Sequence, residues 1–206
     1  MRRIGIFGGS FNPPHLGHMH LAESVHEALS LDEVRLVPSG ISPHRSMEAY
    51  APDADRLAMC RLAAEGYPWM RADDHELRQA KVSYTVYTVR HFAEMFPGDK
   101  LYLLVGGDML RSFQEWYQWQ EILQHAALAC VAREPGEYDT LCGCAEKLHQ
   151  YGEICLLHVE SFEVSSTKIR ELVQKKQNYS CYLPEKIVQY IQTRNLYAGS
   201  DAGCIR

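Results

Sequence analysis

Few of the features that would assign a function class by themselves are present in this sequence. There is no excess of basic charge: 21 lysines and arginines stand against 26 aspartates and glutamates, a formal net charge of −5 at neutral pH. A surface that grips nucleic acid along its backbone needs a basic face, and this balance excludes a general one. There is no apolar run of membrane-spanning length. The opening Met1-Arg2-Arg3-Ile4 is basic and then apolar, but Gly8 cuts the apolar stretch short of a secretory leader. There is no even set of cysteines; the seven present form an odd number in 206 residues, and Cys60, Cys130 and Cys155 sit in apolar segments. Reduced thiols in a cytoplasmic protein fit that usage better than a disulfide framework. Cys142-Gly143-Cys144 with His149 lacks a usual zinc spacing. Repeats, low-complexity tracts and clear linkers are absent as well.

Several signatures are missing too. Gly8-Gly9-Ser10 is not followed by the Gly-Lys-Ser/Thr of a Walker loop, and Gly5 and Gly8 have the wrong spacing for a dinucleotide turn. Asn12 stands where a nucleophile elbow needs glycine, and Ser165-Ser166-Thr167-Lys168 has neither partner motif of a penicillin-binding enzyme. No His-Glu-x-x-His is present.

What remains is 46% hydrophobic and 23% charged, the composition of an ordinary globular domain, with length enough to bury a sizeable core. Short apolar runs at Ile4–Phe7, Glu33–Pro38, Leu101–Val105, Ala127–Ala132 and Ile154–Val159 read as strands. Between them, helical spacing covers His15–Leu29, Asp53–Glu65, Tyr84–Phe96, Trp116–His125, Asp139–Tyr151 and Thr167–Lys175, and a terminal helix is expected over Leu183–Leu196. This alternation predicts an α/β fold: a parallel sheet with helices on both faces and a C-terminal helical segment. A single domain over 1–197 is expected, with 198–206 a frayed tail and 40–52 a mobile loop.

The densest segment is Gly8-Gly9-Ser10-Phe11-Asn12-Pro13-Pro14-His15-Leu16-Gly17-His18. Gly8 and Gly9 suit a tight turn and close approach to a ligand, and Pro13 and Pro14 suit a helix start. His15 and His18, three apart, then project from one side of the first turn beside free backbone donors, an arrangement for polyphosphate. Late in the chain, Ser165-Ser166-Thr167-Lys168-Ile169-Arg170 reads as a serine-capped helix start with an arginine one turn on, again suited to phosphate.

These two segments resemble the paired signatures of the nucleotidylyltransferases, the (H/T)xGH box and S-T/S-x-x-R. Within that superfamily the likeness is strongest to the bacterial nicotinate-nucleotide adenylyltransferase family. It runs from Arg3 to about Tyr197 and takes in Ile41-Ser42-Pro43-His44-Arg45, Ser83-Tyr84-Thr85, Gly106-Gly107-Asp108-Met109 and Trp116-Tyr117. The resemblance implies a Rossmann-like fold and adenylyl transfer from ATP to nicotinate mononucleotide, with Mg2+ carried mainly by the ATP phosphates. It implies catalytic roles for His15, His18 and Arg170. ATP would meet Gly8, Gly9, Ser10, Phe11, His18, Ser166, Thr167 and Arg170, with Asp108 at the ribose and Arg133 near the phosphates. The mononucleotide would meet Asn12, His44, Arg45, Thr85, Trp116 and Tyr117, the tryptophan stacking on its pyridine ring. Neither nucleic acid nor membrane is an expected partner; a homo-oligomer is left open.

The sequence departs from the family pattern in places. Asn12 replaces a common aspartate, Gly107 a common alanine, Lys81-Val82 a common Gly-Pro, and Glu134 is interposed after Arg133. Three alternatives stay open: a sister phosphopantetheine adenylyl- or cytidylyltransferase, preference for the amidated mononucleotide, and a nucleotide sensor without catalysis.

Overall fold

Strand-forming runs bounded by breakers alternate with amphipathic stretches, and the computed structural model folds them into one sheet. It describes residues 1–40, 50–79, 82–132, 136–160 and 162–198. The strands are β1 (Arg3–Gly9), β2 (Glu33–Pro38), β3 (Met70–Ala72), β4 (Lys100–Gly106), β5 (Ala126–Ala132) and β6 (Ile154–His158). The helices are α1 (Leu16–Leu29), α2 (Asp53–Ala64), α3 (Thr85–Met95), α4 (Gly107–Arg111), α5 (Trp119–His125), α6 (Glu137–Leu148), α7 (Ser166–Gln174) and α8 (Glu185–Thr193), with 3-10 turns at Phe113–Glu115 and Ser180–Tyr182.

The six strands run in the order β3-β2-β1-β4-β5-β6, all pairs parallel. Parallel strands are buried on both faces, and β5 shows it, with every residue buried. The strand period of two then splits side chains between two cores. Phe7, Tyr102 and Leu104 face one, packed with Met19, Met59, Ile169 and Ile187 of α1, α2, α7 and α8. Ile4, Ile6, Leu101 and Leu103 face the other, with Val89, Leu110, Ile122 and Leu141 of α3 to α6. Strand order reverses between β1 and β4, so the crevice beyond their carboxyl ends is where such a sheet takes its ligand.

Some expectations change. Gly8 and Gly9 do not turn: they end β1, paired with Val37 and Pro38. The turn comes at Phe11, an aromatic residue at φ +43°. Pro13 and Pro14 lie outside the helix they were expected to start, because His15 is its N-cap, and the Asn12–Pro13 bond is cis. The expected helix at 116–125 begins only at Trp119, after a 3-10 turn. Edge strand β3 carries too few residues to show a period and was not expected from the sequence.

Candidate active site

The loop after β1 is held in an unusual shape by packing and by hydrogen bonds from distant elements. Phe11 is fully buried, its ring edge-on to Phe7 (5.4 Å) and to His18 (5.1 Å). Left-handed backbone at a bulky residue costs on the order of 1–3 kcal/mol, an amount that complete burial of the ring can offset. Arg56 of α2, fully buried, donates to the carbonyls of Ser10 (2.9 Å) and Ser39 (2.7 Å) and pairs with Asp53 (2.6 Å). It therefore ties the ends of β1 and β2 together from beneath. Asn12 is also fully buried; its Oδ1 accepts from the Ala51 N–H and the Tyr197 hydroxyl, both at 2.9 Å.

His15 and His18 share the first turn of α1, their rings stacked with centroids 3.6 Å apart. The His15 backbone N–H donates to His18 Nδ1 at 3.1 Å. A ring nitrogen that accepts carries no proton, so this bond assigns the His18 N–H to Nε2. Gly17 between them is a packing requirement: a Cβ there would lie 2.9 Å from Val164 and 3.2 Å from the His15 ring.

Val164 leads into α7, whose N-cap Ser165 accepts from the Lys168 N–H at 3.2 Å. Two bonds then join this helix to the first loop. Ser166 Oγ donates to the Pro13 carbonyl (2.9 Å), and Arg170 Nη1 to the Asn12 carbonyl (2.9 Å). Arg170 Nη2 also donates to Thr167 Oγ1 (3.2 Å). A guanidinium has five N–H bonds, so donors remain for an anion.

The two signatures thus enclose a cavity of about 570 Å³ lined by Ser10, His15, His18, Ser166, Thr167 and Arg170, with apolar walls from Leu21, Val131, Val159 and Val164. His20, not singled out in the sequence, also lines it and contacts the Glu160 carbonyl at 3.1 Å. Two helix N-termini, imidazoles, hydroxyls and a guanidinium around one space can bind a polyphosphate and stabilise charge moving along it.

The remaining expected residues stand elsewhere. Asp108 is in the first turn of the five-residue α4, and its fully exposed carboxylate pairs with Arg111 at 2.7 Å. Gly107 leaves room for Glu137, whose carboxyl occupies the space a Cβ would need and which pairs with Arg111 at 3.0 Å. Thr85 opens α3, Trp116 packs on Phe113 at 5.3 Å, and the half-exposed Tyr117 rests on Tyr84 at 4.8 Å. These three lie outside the cavity lined by the histidines. His44, Arg45 and Arg133 lie outside the described residues, as do Lys81 and Glu134.

Sequence reasoning missed Arg56, Glu76 and Tyr197. The Asp53-x-x-Arg56 spacing was visible as an i, i+3 pair, but nothing local marks its arginine as buried. Burial pushes the Tyr197 hydroxyl and the Cys60 thiol well up, which leaves both protonated.

The cytidylyltransferase-like family model matches residues 6–172. The chain is 35% identical to the probable nicotinate-nucleotide adenylyltransferase of Rhodopirellula baltica, covering 94% of this chain and 92% of that protein. It is 33% identical to the nicotinate-nucleotide adenylyltransferase of Bacillus subtilis, over 96% of this chain and 99% of that one. Among solved structures, Plasmodium falciparum nicotinic acid mononucleotide adenylyltransferase complexed with NaAD superposes with a TM-score of 0.77 at 18% identity, covering 96% and 98% of the two chains. That likeness is one of fold.

Proposed function

The chain belongs to the cytidylyltransferase-like family, and from that premise we propose that it is a nicotinate-nucleotide adenylyltransferase. The mononucleotide phosphate oxygen attacks the α-phosphorus of ATP, the bond from that phosphorus to the pyrophosphate oxygen breaks, and nicotinate adenine dinucleotide and pyrophosphate leave. The observation that carries this reading is the meeting of both phosphate-binding signatures around one cavity, bonded to each other at Ser166–Pro13 and Arg170–Asn12.

The nucleophile is already an anion, so no serine, cysteine or strong base is required. Catalysis rests on alignment and charge stabilisation. His18, with Nδ1 occupied by the His15 N–H, presents Nε2–H as a donor to phosphate oxygen. His15, stacked on it, restricts its ring. Arg170 and the first turn of α7 receive the departing pyrophosphate, and Ser10 lines the α-phosphate side. Asp108 meets the ribose, and Thr85, Trp116 and Tyr117 form the pyridine pocket, with Arg133, His44 and Arg45 as further phosphate contacts.

The donors lining the cavity are mostly neutral or cationic, and among the described residues no three acidic, histidine or cysteine side chains cluster to hold a metal. Mg2+ would be carried mainly by the ATP phosphates and by the water it keeps in its shell. Bound in that way, the ion neutralises triphosphate charge. Among the described residues no helix is long and apolar enough to cross a membrane. We place the reaction in the cytoplasm, where thiols stay reduced.

The test is pyrophosphate release with ATP and Mg2+, offering nicotinate mononucleotide, nicotinamide mononucleotide and phosphopantetheine in parallel. Strong release with the acid mononucleotide alone is expected. Release with phosphopantetheine alone, or ATP binding without release from any acceptor, overturns the assignment.

A further inference from the structure

We propose that Glu76 is a positioning residue for the mononucleotide pocket, tying the first turn of α3, which Thr85 opens, to the exit of β2; this rests on the function proposed above. Glu76 lies in the loop after β3 and is 9% exposed, a carboxyl that neither signature uses. Its Oε1 accepts from Thr88 Oγ1 at 2.7 Å and its Oε2 from the Gly40 N–H at 3.3 Å. The buried Ser83 hydroxyl adds a weaker pull on the same group, in a geometry short of a full hydrogen bond. Three segments thus converge on one side chain: the exit of β2, the turn before α3, and α3 itself.

The convergence is close. A Cβ on Gly40 would lie 2.6 Å from the Glu76 carbonyl oxygen and 2.7 Å from Ser83 Oγ, so only glycine lets β2 run this near the turn. Ser83 stands two residues before Thr85, and Thr88 one helical turn after it. Glu76 therefore bonds α3 one turn after Thr85 through Thr88 and lies close to Ser83 before it, and Tyr84 between Ser83 and Thr85 carries the ring on which Tyr117 rests at 4.8 Å. Thr85 and Tyr117 are two of the three residues proposed to form the pyridine pocket, so the position of one relative to the other depends on this anchor.

A buried acid is an expensive way to pack a loop, since a leucine would fill the space without desolvating a polar group. Burial pushes the Glu76 carboxyl upward, against the hydrogen bonds from Thr88 and Gly40. No described guanidinium or ammonium bonds it; Arg56 acts on it only from a distance. What the carboxyl provides is two acceptor arms at a fixed separation. A glutamine keeps both contacts with one reversed, its carbonyl accepting from Gly40 and its amide donating to Thr88 Oγ1, whose hydroxyl is free to rotate.

The experiment is steady-state kinetics with ATP, Mg2+ and nicotinate mononucleotide on the wild-type chain, Glu76→Leu, Glu76→Gln and Thr88→Val, with folding checked by circular dichroism. Glu76→Leu and Thr88→Val should raise the mononucleotide KM about five- to tenfold, the loss of one or two positioned hydrogen bonds. Their kcat and ATP KM should stay within about twofold of wild type, a change confined to substrate binding. Glu76→Gln should restore the mononucleotide KM. If Glu76→Leu fails to fold, the same split in Thr88→Val carries the inference. A wild type active on nicotinate mononucleotide with an unchanged mononucleotide KM in folded variants, a parallel fall of all constants, or no rescue by glutamine overturns this inference alone. A wild type that does not turn over nicotinate mononucleotide overturns the proposed function and this inference with it.

Discussion

His18 concentrates several constraints in one side chain. Its Nδ1 takes the His15 N–H, one face of its ring lies on His15, and Phe11 meets it edge-on at 5.1 Å. A ring so held loses little entropy when its remaining N–H meets a phosphate oxygen, which suits a donor whose value lies in the transition state. His18→Ala should therefore lower kcat by about 10²–10³-fold, the cost of one positioned donor, with folding retained. Pyrophosphate release under saturating ATP measures it, and turnover within tenfold of wild type rules out the assigned role. The histidine pair was legible at this scale because i, i+3 spacing places both rings on one turn. Arg56 was not legible. Its described hydrogen-bond partners are the carbonyls of Ser10 and Ser39 and the Asp53 carboxylate, and the two carbonyls approach it only once β1 and β2 have paired.

At the scale of elements, the long strands were readable because burial on both faces makes them nearly all apolar, β5 most of all. The starts of α1 and α7 were readable to within a residue or so, since cap chemistry is local; Pro13 and Pro14 misled because the chain turns at Phe11 and caps with His15 instead. The loop between β3 and α3 held no such signal, yet it pairs with α3 through stacked rings: His75 and His91 lie 3.7 Å apart and 9° from parallel. Burial first, and His91 second, hold the His75 ring below its ordinary value of 6.5. The folded chain then binds fewer protons than the unfolded one as pH falls through 6.5, so stability drops from there down to the lowered value and is flat above. Thermal midpoints measured from pH 7.5 to 5.5 should show that decline in wild type and a shallower one in His75→Gln. Equal slopes in the two chains would exclude His75 as its source.

The whole molecule is closed by contacts between parts of the chain that sequence order keeps far apart, and that is why the shape of the candidate site was less legible than its parts. Asn12, expected to meet the mononucleotide, has its side chain facing inward, where Ala51 and Tyr197 both donate to Oδ1 while its own carbonyl holds Arg170. The two described partners of Oδ1 are both donors. The C-terminal segment reaches Asn12 because α8 buries Ile187 and Ile191 against the core, and because Tyr190 and Arg194 bond Asp55 of α2 at 2.8 and 3.1 Å. Tyr197→Phe isolates the last link of that closure. It removes one hydrogen bond and leaves Oδ1 with its Ala51 donor, so the acceptor is not orphaned. The expected loss is about 1 kcal/mol, short of the up to about 3 kcal/mol that an unsatisfied buried group can cost. Urea unfolding at constant m-value gives the number directly. A loss near zero would mean that the C-terminal segment only covers the loop after β1, whereas a loss near 1 kcal/mol makes it part of the bonded frame that fixes Arg170 opposite the histidines.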